Sequence, residues 1–226
     1  MLQVKDWQHV FKLDPNKPLD EASLMKLCDS GTDALMIGGT DGVTFEKVFD
    51  LWDRVQHYDI TCVLELSNLE AIMPGFDGYL IPTVLNSKDK QFVVGLHHEA
   101  VKEYGDLIQW DDVLVEGYCV MNEQAKVYQE TNCQLPAVKD VVAYAKIAEH
   151  MFHLPIFYLE YSGTWGDPKL VEEVSRELDK TLLFYGGGIE SEEQARTMKQ
   201  YADVIVVGNI IYEDIQAALR TVKACK

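Results

Sequence analysis

Residues 181–194 read Thr-Leu-Leu-Phe-Tyr-Gly-Gly-Gly-Ile-Glu-Ser-Glu-Glu-Gln. Leu182 to Tyr185 form an apolar run without alternation, the pattern of a parallel strand covered on both faces. Gly186, Gly187 and Gly188 then turn the chain, and Ser191 with Gln194 forms a capping box before the amphipathic EEQARTMKQY. Strand, glycine turn and capped helix make one βα unit. The next strand, Val204–Val207, also ends in glycine, at Gly208-Asn209.

Outward from this unit, the same alternation runs through the chain. Further candidate strands are Val10–Leu13, Ala34–Gly38, Thr61–Leu66, Tyr79–Val84, Val113–Val120 and Ile156–Tyr161, making eight in all. They predict a single-domain TIM (β/α)₈ barrel over residues 1–226. Helix ends are well marked: Asp167-Pro168 opens one helix, Thr44 another, and Gly105 closes the long stretch from Lys88 to Tyr104. Between the third and fourth strands lies only SNLEAIMPGFDG, with Pro74 and two glycines. The third helix is therefore expected to be reduced or missing. A weak echo between residues 33–39 and 203–209, each a strand ending in glycine, suits a repeated βα unit, although two strands of any doubly wound sheet would read alike.

The formal charge is −17, from 37 acidic and 20 basic residues, which argues against broad binding of nucleic acid or of anionic membrane. An anionic substrate would need local help from a lysine, backbone N–H groups or a metal ion. The five cysteines form no CxxC pair, and Cys62 and Cys119 sit in strand-like runs, as buried thiols do. The charged start MLQVKDWQHVFKLD is unlike a signal peptide, and no apolar run approaches the ~18 residues of a membrane span. A cytoplasmic location is expected.

Chemistry concentrates at strand ends. Glycines after strands seven and eight let backbone N–H groups approach phosphate oxygens, and many barrels bind phosphate there. Strand six ends Tyr158-Leu-Glu160-Tyr-Ser162-Gly163. A carboxylate at such a tip is costly unless it is paired or working, so Glu160 is a candidate general base, with a structural ion pair inside the barrel as the competing role. Lys12 and Asp14 share a face of strand one. The lysine offers a charge for phosphate, and the aspartate could help to hold Mg²⁺, with Thr40 as a further oxygen ligand, though Asp14 and Thr40 equally suit turns or caps. His97-His98-Glu99 lacks the spacing of a zinc pair; His150 and His153 suit a surface or a helix end, and Trp165 a packed aromatic.

FKLDP, IGGTDGVT, YLEYSGTWGDP, FYGGGI and VVGNII, in that order, closely resemble the geranylgeranylglyceryl phosphate synthase family, most of all its bacterial PcrB-type branch. The resemblance covers essentially the whole chain. It implies a prenyltransferase that joins the primary hydroxyl of sn-glycerol 1-phosphate to C1 of a polyprenyl diphosphate, heptaprenyl (C35) in this branch, with Mg²⁺ required. By position, glycerol phosphate would be held by Lys12, by Tyr158, Leu159, Glu160, Tyr161, Ser162 and Gly163, and by Gly188, Gly208 and Asn209. Asp14 and Thr40 would hold Mg²⁺ and the diphosphate, and Glu160 would take the hydroxyl proton. A homodimer, at most peripheral membrane contact and an apolar groove across the barrel mouth are also implied, with Ala100 a candidate for one wall. Alternatives are a phosphosugar isomerase or lyase, and a non-catalytic phosphate-binding barrel.

Overall fold

The computed structural model describes residues 2–226, in which eight parallel strands close into a barrel in chain order. They are β1 (His9–Leu13), β2 (Ala34–Ile37), β3 (Thr61–Glu65), β4 (Gly78–Val84), β5 (Val113–Val120), β6 (Ile156–Glu160), β7 (Leu182–Gly186) and β8 (Val204–Val207). Closure comes from β1 pairing β8, with Val10 opposite Val206. Each predicted strand is present, with ends moved by one residue at most. The helices are α1 (Glu21–Cys28), α2 (Phe45–Val55), α3 (Gly95–Tyr104), α4 (Lys126–Glu130), α5 (Val138–Lys146), α6 (Pro168–Ser175), α7 (Glu192–Lys199), α8 (Ile210–Glu213) and α9 (Ile215–Cys225).

Strand alternation sorts the side chains into two shells. Val10, Met36, Val63, Leu80, Tyr118, Tyr158, Phe184 and Val206 fill the lumen, and Val4 and Trp7 belong to the same cluster. Phe11, Leu35, Leu64, Phe157, Leu159, Leu183 and Ile205 point outward into the helices. Each large side chain so buried contributes about 1.5–3 kcal/mol. His9 is a buried polar member of the outer shell. It bridges Thr32 (2.8 Å) and Thr221 (2.9 Å), and burial holds its pKa down to about 3, so the ring is a neutral strut. All five cysteines are buried and free.

Capping follows the sequence closely. Asp167 accepts the Lys169 N–H at 3.0 Å and Ser191 the Gln194 N–H at 3.2 Å. The Gln194 side-chain Oε1 takes the Glu190 N–H at 2.8 Å, one residue before the partner that a closed capping box would use.

Between β3 and β4 there is a single 3₁₀ turn, Leu69–Ala71, capped by Asn68, so the third barrel helix is missing. Pro74 and Gly75 account for this: the proline removes a donor, and Gly75 adopts φ +109° against the Trp52 ring. The stretch from Lys88 divides into a 3₁₀ turn at Lys90–Phe92 and α3, which has no buried residue and meets β4 through His97, 3.0 Å from the Pro82 carbonyl.

Glu116 is fully buried, and neither of its carboxylate oxygens has a hydrogen-bond partner among the described residues. Burial raises its pKa well above the usual range, Glu65 adds repulsion, and Lys12 opposes both. A carboxyl with a raised native pKa lowers stability as pH rises from its unfolded value of about 4.3 through its folded one. Glu116→Gln removes that ionisation. The variant is expected to be roughly 1–3 kcal/mol more stable than the parent at pH 8. Thermal unfolding at pH 8 and pH 4.5 checks this, because the advantage should shrink at the lower pH.

Candidate active site

At the C-terminal mouth of the lumen, inward positions of β1, β3, β5 and β6 bring together Lys12, Glu65, Tyr118 and Glu160. Lys12 Nζ lies 2.6 Å from Glu65 Oε2, 3.1 Å from the Tyr118 hydroxyl and 3.9 Å from Glu160 Oε2. The Tyr118 hydroxyl is 2.8 Å from Glu65 Oε1 and 3.2 Å from Glu160 Oε2. Its ring stacks on Tyr158 at 4.5 Å. Burial alone would pull the Lys12 pKa down, but Glu65 and Glu160 outweigh it and the net shift is upward, so the ammonium stays charged. For Glu160 burial raises the pKa, opposed by Lys12 and by the Ser162 N–H, and the net direction is up.

Glu160 Oε1 accepts both the Ser162 N–H (2.6 Å) and its hydroxyl (3.0 Å). The backbone makes this possible by reversing at Ser162 (φ +34°) and Gly163 (φ +79°). A non-glycine residue at positive φ is a strained position, and here it fixes the orientation of the carboxylate.

Beside this cluster is a polar pocket of ≈440 Å³, onto which Lys12, Tyr158, Glu160, Ser162, Gly163, Gly188, Gly208 and Asn209 open. Leu159 and Tyr161 do not. Alternation along β6 turns both into the outer shell, so their side chains stand away from the pocket. A Cβ on Gly187 would meet Tyr161 at 2.5 Å, and one on Gly188 (φ +60°) would overlap the Thr164–Trp165 backbone. Gly208 differs: a Cβ there has only the Lys12 carbonyl oxygen near it, at 3.7 Å. Trp165 stands edge-on to Tyr185 at 6.1 Å and lies on neither cavity.

Asp14 and Thr40 also line the polar pocket. Asp14 is tied down through its backbone N–H, which donates to the Tyr212 hydroxyl at 2.8 Å, and through Oδ1, which accepts both N–H donors of Asn16. Oδ2 has no protein donor among the described residues.

A second cavity, of ≈950 Å³, is predominantly apolar. The loop that replaces the third helix supplies Ile72, Met73 and Phe76, and α3 supplies Ala100, Val101 and Tyr104. The loop in place of the third helix and α3 thus line one groove. Groove and polar pocket share Lys12, Gly39, Thr40, Glu160 and Ser162. The sequence reading did not single out Glu65 or Tyr118. Glu65 carries the same signal as Glu160, a carboxylate at the tip of an apolar strand, in TCVLEL.

The PcrB family profile matches residues 2–226. The chain belongs to the PcrB family. PcrB-family relatives named heptaprenylglyceryl phosphate synthase are 55% identical in Geobacillus sp. (strain WCH70), over all of both chains, and 53% identical in Geobacillus kaustophilus, over all of this chain and 95% of the relative. The fold matches the crystal structure of (S)-3-O-geranylgeranylglyceryl phosphate synthase from Thermoplasma acidophilum in complex with its substrate sn-glycerol-1-phosphate. That match has a TM-score of 0.89 at 24% identity and covers 100% of this chain and 99% of the other.

The two glycine environments separate folding from binding. Gly188→Ala forces a side chain into a left-handed backbone and onto the Thr164–Trp165 loop, at an expected cost of roughly 2–4 kcal/mol in thermal unfolding. Gly208→Ala fits the protein and should stay within about 1 kcal/mol of the parent. Its methyl enters the pocket, so titration with glycerol phosphate is expected to show affinity weakened about tenfold.

Proposed function

We propose that this protein forms an ether between the primary hydroxyl of sn-glycerol 1-phosphate and C1 of heptaprenyl diphosphate, releasing diphosphate. The observation that carries the reading is the shared wall: a glycine-lined polar pocket and a long apolar groove meet at Lys12, Thr40 and Glu160. A phosphosugar isomerase or lyase has no use for such a groove. The names of the PcrB-family relatives point to the same reaction.

In this reading the phosphate of the acceptor lies against Gly188, Gly208, Asn209 and Ser162–Gly163, with Tyr158 alongside and Lys12 as the charged partner. The free primary hydroxyl then faces Glu160. Glu160 Oε2 takes the hydroxyl proton as the oxygen bonds to C1 and the C1–diphosphate bond breaks. Burial suits the carboxylate to the task, because it raises the group's affinity for a proton. Ser162 fixes Oε1, which leaves Oε2 as the working oxygen.

Asp14 and Thr40 would hold Mg²⁺. Among the described residues no three His, Cys, Asp or Glu side chains converge on a metal site, which suits an ion that takes one or two carboxylates and completes its shell with phosphate oxygens and water. When bound, Mg²⁺ supplies neutralisation of the charge that builds on the departing diphosphate. The reading also takes the enzyme to be a single-domain, cytoplasmic homodimer with at most peripheral membrane contact. No helix among the described residues is long and apolar enough to cross a membrane.

Purified protein incubated with Mg²⁺, sn-glycerol 1-phosphate and C20 to C35 prenyl diphosphates should yield a prenylglyceryl phosphate ether, identified by mass spectrometry. EDTA should abolish it, and Glu160→Gln should slow it about 10²- to 10⁴-fold. No ether from any donor would sink the reading. Ala100 faces the groove from α3, so Ala100→Trp fills part of the chain's path. In direct competition, heptaprenyl diphosphate is expected to lose about tenfold or more against the C20 donor.

A further inference from the structure

We propose that Glu65 is a positioning residue for the base: it holds the Lys12 ammonium off Glu160 and so preserves the ability of Glu160 to accept a proton. The inference rests on the reading of Glu160 as the base and adds a second carboxylate to the machinery. Lys12 has two carboxylates within reach and divides itself unequally, 2.6 Å from Glu65 and 3.9 Å from Glu160. The Tyr118 hydroxyl leans the same way, 2.8 Å against 3.2 Å. Glu65 thus engages the cation on Oε2 and the phenol on Oε1 while remaining only 5% exposed.

That division matters because an ammonium in direct contact with a carboxylate makes it a poor base. Lys12 is needed at the mouth for the phosphate, and its flexible stem lets it settle on whichever anion is nearest. With Glu65 removed, Glu160 becomes the nearest. Glu65 acts in a second way in the same direction, since its own negative charge repels negative charge on Glu160 and favours its protonated form.

The groups around the carboxylate are Lys12 from β1, Glu65 from β3, Glu116 and Tyr118 from β5, Tyr158 from β6 and Tyr185 from β7. Lys12 is the cation of the set. Glu116 lies deeper in the lumen, and the tyrosines are held neutral, each with its pKa raised by burial. Removing Glu65 therefore leaves Glu160 as the one protein carboxylate within salt-bridge reach of Lys12 among the described residues.

The test is the pH dependence of the single-turnover rate with both substrates saturating, so that titration of free glycerol phosphate does not enter. Glu65→Gln is expected to move the acidic limb down by about one pH unit and to lower the plateau rate about 10- to 100-fold. The KM for glycerol phosphate should change less than the rate does. Glu65→Asp, one methylene shorter, keeps a weaker hold on Lys12 and should move the limb the same way but less. A purely structural role for Glu65 predicts a lower thermal midpoint with the limb unmoved. An unmoved or raised limb in Glu65→Gln overturns the inference while the reaction itself stands, and Glu65→Asp decides by the same criterion if Glu65→Gln does not fold. Absence of ether from the parent protein would instead remove the reading on which this one rests.

Discussion

Closing eight strands into a barrel places Glu65, Glu116 and Glu160 in one lumen, with Lys12 as the cation among them. Three like charges in a space walled by Leu80, Val84 and Phe184 would be prohibitive if all were ionised and unpaired. Two devices make the arrangement tenable. Lys12 pairs closely with Glu65 and more distantly with Glu160, while burial drives Glu116 towards its neutral form. The Ser162 donors and the Tyr118 hydroxyl satisfy what the ammonium does not reach. The chemistry at the mouth therefore depends on how one charge is shared.

The same barrel gives up covering on one side to gain a binding surface. A helix after β3 would pack on the outside of β3 and β4 and bury apolar area at about 25 cal/mol per Å². Residues 66–77 form a loop there instead, and α3 buries none of its residues, touching β4 through His97, 3.0 Å from the Pro82 carbonyl. The outer shell elsewhere, from Phe11 to Ile205, is closed tightly enough to carry the fold without that helix. What is lost in local packing becomes a cavity that opens onto Lys12, Glu65, Tyr118 and Glu160.

Much of this architecture was legible from composition and order alone. Parallel strands covered on both faces leave continuous apolar runs, so ALMI, TLLFY and VIVV declared themselves, and Pro74 marked the missing helix. The lumen was less legible. Glu160 drew notice because a serine and glycines follow it, whereas Glu65 ends an equally apolar strand with Leu66-Ser67 after it. Its importance comes from a salt bridge between residues 53 positions apart, which only barrel closure creates. Leu159 and Tyr161 show where motif and side-chain direction part. They belong to the same motif as Tyr158 and Glu160, but period-two alternation sends their side chains to the other shell. The division of the β5–β6 connection into α4 and α5 was marked only by NCQLP, which breaks the helical pattern without saying what lies on either side.

A chain with a charge of −17 that handles two phosphorylated anions faces a repulsion problem. At physiological ionic strength the Debye length is about 8 Å, so most of that charge is screened from a ligand already at the mouth. Recognition must then be short-range. Lys12, Lys17 and Lys126 stand around the polar pocket, and the last two are engaged by Asn209 (2.8 Å) and Asp41 (3.0 Å). Backbone N–H groups beside Gly188 and Gly208 add dipoles that carry no net charge and cost no desolvated ion. Such a site gives little long-range steering, and on the proposed reading its selectivity comes from fit: phosphate against glycine backbone, hydroxyl against Glu160, chain along the groove.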